Sequence, residues 1–253
     1  MRAIWSGSIS FGLVNIPVKL YSGTESHSLD FDLLRKNDLC PIRYSRVCRA
    51  DGKEVPWEDV VKGYEYRDGD YIVLEKEDFE QAGAKKSHSF EIHEFVKESE
   101  IDAIFYETPY YLEPQKEGQK AYALLREALK ETNMVGVGEF VMRNREHLAV
   151  IKSYGNLLLL NKLRYQEDIR DSKSLSLPKD DLIKEKELDM AKKLIKQLSA
   201  KFKPQDYQDT YITELKKLIE AKAKGKKFKK PKQISEIEKV TDIMTLLKKS
   251  LRA

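Results

Sequence analysis

Residues 1–25 read MRAIWSGSISFGLVNIPVKLYSGTE, and they limit the chain's fold more than any other stretch. Ile9, Phe11 and Leu13 alternate with Ser10 and Gly12, and a second alternation runs through Ile16, Val18 and Leu20. Period two is the signature of a strand with one buried face. Asn15 and Pro17 punctuate the run, and proline cannot donate to a ladder. The expectation is two short strands bent at residues 15–17, as at the corner of a small barrel.

Further along, the Asp51-Gly52 dipeptide marks a turn, and residues 60–66 and 71–74 flank a second turn at residues 67–70. Residues 42–47 read as a strand with Arg43, Ser45 and Val47 on one face, Tyr44 and Arg46 on the other. A short helix is expected near residues 76–81 and an imperfectly alternating strand over 89–96. Residues 119–130 switch to a helical period, with Ala121, Leu124, Leu125, Ala128 and Leu129 on one face. Residues 137–143, 148–154 and 157–165 read as a three-strand meander, its last strand buried on both faces over 157–160. After Pro178 come two helices. Leu188, Ala191, Leu194, Ile195, Leu198 and Phe202 form the stripe of the first; the second, over 206–222, carries Tyr207, Tyr211, Leu215, Leu218 and Ile219. A Lys-dominated linker, broken by Gly225 and Pro231, precedes a capping-box signature at Ser235 and Glu238 and a short amphipathic helix.

Charge bears on partners. The formal net charge is +4. Residues 184–253 carry about ten excess positive charges and residues 1–183 are net negative by about six. Basic tails attract polyanions; a solvated Lys/Glu helix is the plainer reading. Arg35, Lys36, Arg43, Arg46, Arg49 and Lys53 form a dense basic series around aromatic Tyr44. Such a series grips a phosphate backbone, or belongs to an exposed strand whose arginines snorkel.

Nothing in the chain carries recognisable chemistry. There is no GxxxxGK[ST] loop, GxSxG elbow or HExxH helix. His88 and His93 fall on opposite sides of a strand. Cys40 and Cys48 lack a CxxC or HxxxH companion, and two thiols suit a reducing cytoplasm. No cofactor and no metal are expected. No apolar run approaches the ~20 residues of a membrane span, so no membrane is expected as a partner.

Residues 1–21, IRYSRVC (42–48), DGKEV (51–55), YYLEP (110–114) and DTY (209–211), in this order, resemble the bacterial Ku proteins, which hold broken DNA ends for joining. The resemblance covers nearly the whole chain. It departs where the family often has a further Cys shortly after the position of Cys48; Asp51 stands there, against a zinc knuckle.

The resemblance implies an α+β fold: a β-barrel core with an extended DNA-encircling arm (residues 1–178), followed by a helical C-terminal arm (179–223) and a Lys-rich linker with a short helix (224–253). It implies a non-catalytic homodimeric ring in the cytoplasm, nucleoid-associated, that threads onto linear double-stranded DNA ends and recruits the ATP-dependent ligase D. Candidate DNA-binding residues are Lys19, Arg35, Lys36, Arg43, Arg46, Arg49, Lys53, Lys85, Lys86, Arg143 and Arg145, with Lys224, Lys226, Lys227, Lys229 and Lys230 in the tail. Ile237, Val240, Met244 and Leu247 are the candidate ligase-docking stripe. Two other readings stay open: a lysine amine forming a Schiff base at abasic sites, and a single-strand-binding barrel.

Overall fold

The computed structural model of the protein describes residues 1–83, 88–143, 145–179, 182–225, 246, 247 and 250. The chain divides into two compact units, Met1–His27 with Phe31–Asp171, and Ser28–Asp30 with Ser172–Ala253.

The first unit is built on a seven-stranded closed barrel. Strands β1 (Trp5–Phe11) and β2 (Val14–Ser22) form its opening hairpin. Next come β3 (Lys62–Arg67), β4 (Asp70–Leu74) and β5 (Ser89–Lys97), then β6 (Tyr106–Pro114). Strands β7 (Met134–Met142), β8 (Arg145–Tyr154) and β9 (Leu157–Leu163) complete the set. Around the barrel the order is β1-β2-β6-β9-β8-β7-β5, while β3 and β4 pair only with each other. A short parallel seam between Ser8–Ser10 of β1 and Ser89–Glu91 of β5 closes the circle. Closure leaves the barrel no unpaired edge.

The opening hairpin differs from expectation. It turns at Gly12 and Leu13, not at residues 15–17, because Phe11 pairs with Val14. Gly12 has φ +57°, which a glycine adopts without a steric penalty. Leu13 stands in solvent instead of extending the buried row. Pro17 lies inside β2 opposite Ser8. Its carbonyl accepts the Gln115 N–H at 2.9 Å. A strand residue's N–H and C=O point the same way, so the missing donor faces away from β1 and the hairpin ladder is intact.

The barrel interior is filled. Ile9, Ile16, Val18, Leu20, Phe90, Phe140, Ile151, Leu158 and Leu160 are buried in one cluster. Helix α2 (Gln119–Thr132) packs on β2, β7 and β8 and adds Tyr122, Leu125 and Leu129 to it. Leu124 is exposed, so the helix's inner face is centred on Tyr122 and Leu125, about one position from the stripe read in the sequence. The Tyr122 hydroxyl donates to the Leu112 carbonyl at 2.6 Å and accepts from the Leu158 N–H at 2.7 Å, tying the helix to β6 and β9. A second cluster covers the outer face of the meander: Val135, Val150 and Leu163, with Ile101 and Phe105 packed on them. Leu158 and Leu160 belong to the interior cluster, and Leu159, between them and opposite Tyr111 and Lys152, is buried too.

The imperfect alternation of β5 has a cause. Ile92 pairs with Gly138 and Glu94 with Val137, leaving His93 as a bulged residue. The bulge shifts the pleat by one, so Phe95, not Glu94, takes the position opposite Gly136, where it meets Phe11 edge-on at 6.2 Å while staying 41% exposed. A Cβ on Gly138 would lie 1.9 Å from the Glu91 carbonyl oxygen. Only glycine fits where the bulge pulls the strands together.

The second unit contains α3 (Glu185–Leu198) and α4 (Thr210–Ala223). Asp209 caps α4 by accepting the Ile212 N–H at 3.2 Å. The α3 stripe stops at Leu198, four residues before Phe202, and α4 starts later than the pattern suggested, after a 3-10 turn at Pro204–Asp206. Neither helix has a buried residue.

Candidate nucleic-acid interface

Between β2 and β5 the chain makes a long excursion. None of the described residues from 23 to 88 is buried. It contains two small closed loops, the β3–β4 hairpin and helix α1 (Lys76–Gly83). In the first loop Leu34 bridges to Pro41, and Arg35 forks onto Asp38, Nε to Oδ1 at 2.9 Å and Nη2 to Oδ2 at 2.5 Å. In the second, Val47 bridges to Glu54, and the Cys48 N–H donates to the Lys53 carbonyl at 2.8 Å. The Asp51-Gly52 turn falls at its tip, with Gly52 at φ +71°. Residues 42–47, read as a strand, are instead irregular chain between these bridges. Alternating basic and aromatic residues imitate a strand pattern, but no neighbouring strand satisfies their backbone groups.

The basic series is thus displayed on loops. Arg35, Lys36, Arg43, Arg46, Arg49 and Lys53 are all exposed. Arg46 flanks the second loop, with Arg49 and Lys53 inside it. The Arg46 guanidinium stacks over the Trp57 ring at 4.3 Å, which fixes its plane and leaves its outer edge in water. Lys53 pairs with Asp51 at 3.5 Å. The Arg35 fork holds the Asp38 carboxyl below the usual carboxylate value, and the Lys53 N–H does the same for Asp51. These are exposed, solvent-screened partners that a phosphate can displace.

The remaining candidates lie apart. Lys19 is on the outer face of β2, opposite Ser6 and Glu113. Arg143, at φ +54°, lies in the β7–β8 turn, and Arg145 is the first residue of β8, paired with Met142. Both line a cleft of about 740 Å³ together with Lys62, Lys76 and Phe79 from the root of the excursion. Lys224 follows α4. Lys85, Lys86, Lys226, Lys227, Lys229 and Lys230 lie outside the described residues, as do Ile237, Val240 and Met244; Leu247 is described and helical.

Apart from Tyr44, sequence reasoning missed the aromatic side of this surface. Tyr64, Tyr66, Tyr71, Ile72 and Val73 of the hairpin are all exposed, as are Phe31, Tyr44 and Trp57. Lys62 sits over Phe79 at 4.6 Å and Arg67 over Tyr66 at 5.6 Å. The signal was present in KGYEYR (residues 62–67), where cations bracket two tyrosines two apart. An isolated two-stranded hairpin is marginal in water, so one with apolar residues on both faces is shaped for contact with something else.

No group of three or more His, Cys, Asp or Glu suited to a metal ion occurs among the described residues, and Cys40 and Cys48 are free and exposed. No helix among them is long and apolar enough to cross a membrane.

The family model described as the Ku70/Ku80 beta-barrel domain matches residues 10–190. The non-homologous end joining protein Ku of Archaeoglobus fulgidus is 42% identical over 257 residues, covering 100% of this chain and 99% of its own. That of Opitutus terrae is 41% identical, covering 99% and 91%. That of Bacillus subtilis is 37% identical, covering 99% and 82%. The similarity takes in barrel, excursion and helices alike, and on that extent the chain belongs to the Ku family.

Proposed function

We propose that this protein binds the ends of double-stranded DNA in non-homologous end joining, as a homodimer whose two excursions close a ring around the duplex. The observation that carries this reading is the excursion itself: described residues 23–88 bury nothing, yet display arginines beside exposed aromatics. A segment without a core of its own gains stability only from a partner, and here two partners fit. A second copy covers the apolar faces of the hairpin, with two-fold symmetry making the contact self-complementary. The duplex takes the loop arginines and lysines.

A closed ring accounts for end preference without base readout, because it loads only from a free terminus. Affinity then comes from phosphate contacts and falls steeply with salt. The proposed duplex-facing residues are Arg35, Lys36, Arg43, Arg46, Arg49 and Lys53, with Arg143 and Arg145 at the arm's root. This reading gives the protein no catalytic step. Residues 1–178 form the ring, 179–223 a helical arm. Residues 224–253 supply a basic tail and the Ile237, Val240, Met244 and Leu247 stripe that recruits ligase D.

A gel shift with single-stranded, linear duplex and covalently closed circular DNA tests the reading. Linear duplex is expected to be retained and closed circles are not. Equal retention of closed circles contradicts it. A chain ending at Ala223 is expected to dimerise and load normally but to lose most stimulation of the ligase; full stimulation moves the docking site off the tail.

A further inference from the structure

The cleft at the root of the excursion has more in it than a duplex backbone requires. Its lining combines Val60, Val61, Leu74 and Phe79 with four cations, Lys62, Lys76, Arg143 and Arg145, against the carboxylates Glu75 and Glu77. Its volume of about 740 Å³ lies inside the roughly 300–1,000 Å³ range of clefts that hold compact ligands.

Other charged clefts on the first unit have most of their cations committed, the exceptions being Lys97 in one and Arg145, which also lines the root cleft, in the other. In the cleft beside β5 and β8, Lys152 is bonded to Glu98 and Lys130 pairs with Glu127 at 3.6 Å. In the cleft beside β9, Lys162 pairs with Glu107 at 3.0 Å, and Arg164 donates to the Ile104 and Tyr106 carbonyls. At the root cleft, Arg143 and Arg145 form no ion pair among the described residues. Lys76 pairs only with Glu80, at 3.2 Å, while 80% exposed. Lys62 leans on the Phe79 ring, not on a carboxylate. The start of α1 is not an anion site, since the Asp78 carboxylate already accepts the Glu75 N–H at 2.8 Å.

We infer that this cleft binds the single-stranded overhang of a DNA end, its apolar side chains packing against splayed bases while Lys62 and Lys76 hold the overhang's phosphates and Arg143 and Arg145 those at its junction with the duplex. The inference rests on the end-binding reading and adds a second, single-strand site to it. Duplex DNA hides its base faces, so an apolar lining among cations has no use for a paired backbone. A single strand exposes both base faces and phosphates. An acidic peptide matches the cations but leaves the apolar lining without a flat partner.

The test measures affinity of the full chain for three labelled duplexes: blunt, and with a 3′ or 5′ tail of about ten thymidines. The wild type is expected to bind at least one tailed end about threefold to tenfold more tightly than the blunt end. The double variant K62Q/K76Q, which touches none of the residues assigned to the duplex, is expected to lose that preference while its blunt-end affinity stays within about twofold. Phe79→Leu, which keeps the site apolar but removes the ring, is expected to reduce the preference without loss of dimer. Equal wild-type affinity for blunt and tailed ends overturns the inference, and so does a preference that survives both variants. Displacement of the tail by poly-glutamate as readily as by oligothymidine also overturns it. Failure to bind any of the three duplexes overturns the end-binding reading itself, a result distinct from binding all three alike.

Discussion

The barrel and the excursion, residues 28–30 aside, are parts of one unit built on opposite terms. In the barrel every strand has two neighbours, and Ile9, Ile16, Val18, Leu20, Leu158 and Leu160 lie at 0% exposure. In the excursion not one described residue is buried, and Trp57, Tyr44 and Tyr71 stand 70%, 87% and 61% exposed. Both carry aromatics and aliphatics. The barrel turns them inward and is stable on its own contacts; the excursion presents them outward and depends on what it meets. A structure of one chain alone therefore shows the first as a finished object and the second as an exposed surface, the one that the proposed dimer and duplex would cover.

The sharpest break between the two is in stability. Phe140→Ala removes a fully buried ring that meets Trp5 edge-on at 5.9 Å, and is expected to cost about 3–5 kcal/mol by chemical denaturation. Tyr71→Ala in the hairpin is expected to stay within about 0.5 kcal/mol for the monomer, yet to weaken the dimer in sedimentation at micromolar concentration. A large loss of monomer stability with Tyr71→Ala would make the hairpin part of a core.

Next in size is Tyr122→Phe. It leaves the Leu158 N–H without its acceptor and the Leu112 carbonyl without its donor. About 1–3 kcal/mol is expected, from loss of the strap holding α2 to the barrel. DNA affinity per folded molecule should not change; if it does, α2 belongs to the interface.

On the excursion the expected signature is ionic. Arg49→Gln, and separately Arg46→Gln, should lower affinity for all DNA sequences alike and flatten the log–log salt slope by about one unit each. Slopes unchanged in both variants remove the second loop from the duplex.

The smallest effect returns to the barrel. Burial, reinforced by Lys162 and Arg145, holds the His147 pKa below its ordinary 6.5. The unfolded chain therefore takes up the proton first as pH falls, and His147 subtracts stability below about pH 6.5. His147→Gln should flatten the acid side of the stability profile. An unchanged profile assigns acid sensitivity elsewhere.

These two regions also differ in how plainly they are written in the sequence. The barrel strands announce themselves through period two, and the helical period of 119–130 found α2. What escaped was local. The Gly12–Leu13 turn was hidden because Asn15 and Pro17 are the stronger breakers, and Pro17 is tolerated only because its missing donor faces away from β1. The His93 bulge blurred β5, because an inserted residue swaps the faces halfway along. The α2 stripe was misplaced because Leu124 is apolar but faces solvent, while Tyr122 is buried by virtue of two hydrogen bonds. The excursion was legible in its turns, at Gly52 and Gly69, in the hairpin flanking Gly69 and in the short helix expected near residues 76–81, which is α1. Its loops pack on nothing in this chain, so no periodicity records their shape, and residues 42–47 imitated a strand. Of the candidate site, the basic loop residues could be named from sequence. The meeting of Arg143 and Arg145 with Lys62, Lys76 and Phe79 could not, because it joins residues about seventy apart through barrel topology.

Amide hydrogen exchange, followed by peptide, tests the central contrast most directly. Measurements would be made on the chain diluted to monomer, at dimer concentration, and with linear or covalently closed duplex. The account predicts that β1, β2 and β6–β9 are strongly protected in every condition. Residues 31–75 should exchange freely in the monomer, slow in the dimer, and slow again only with linear duplex. Protection of residues 31–75 equal to the barrel's in the monomer, or none gained on linear duplex, would contradict it.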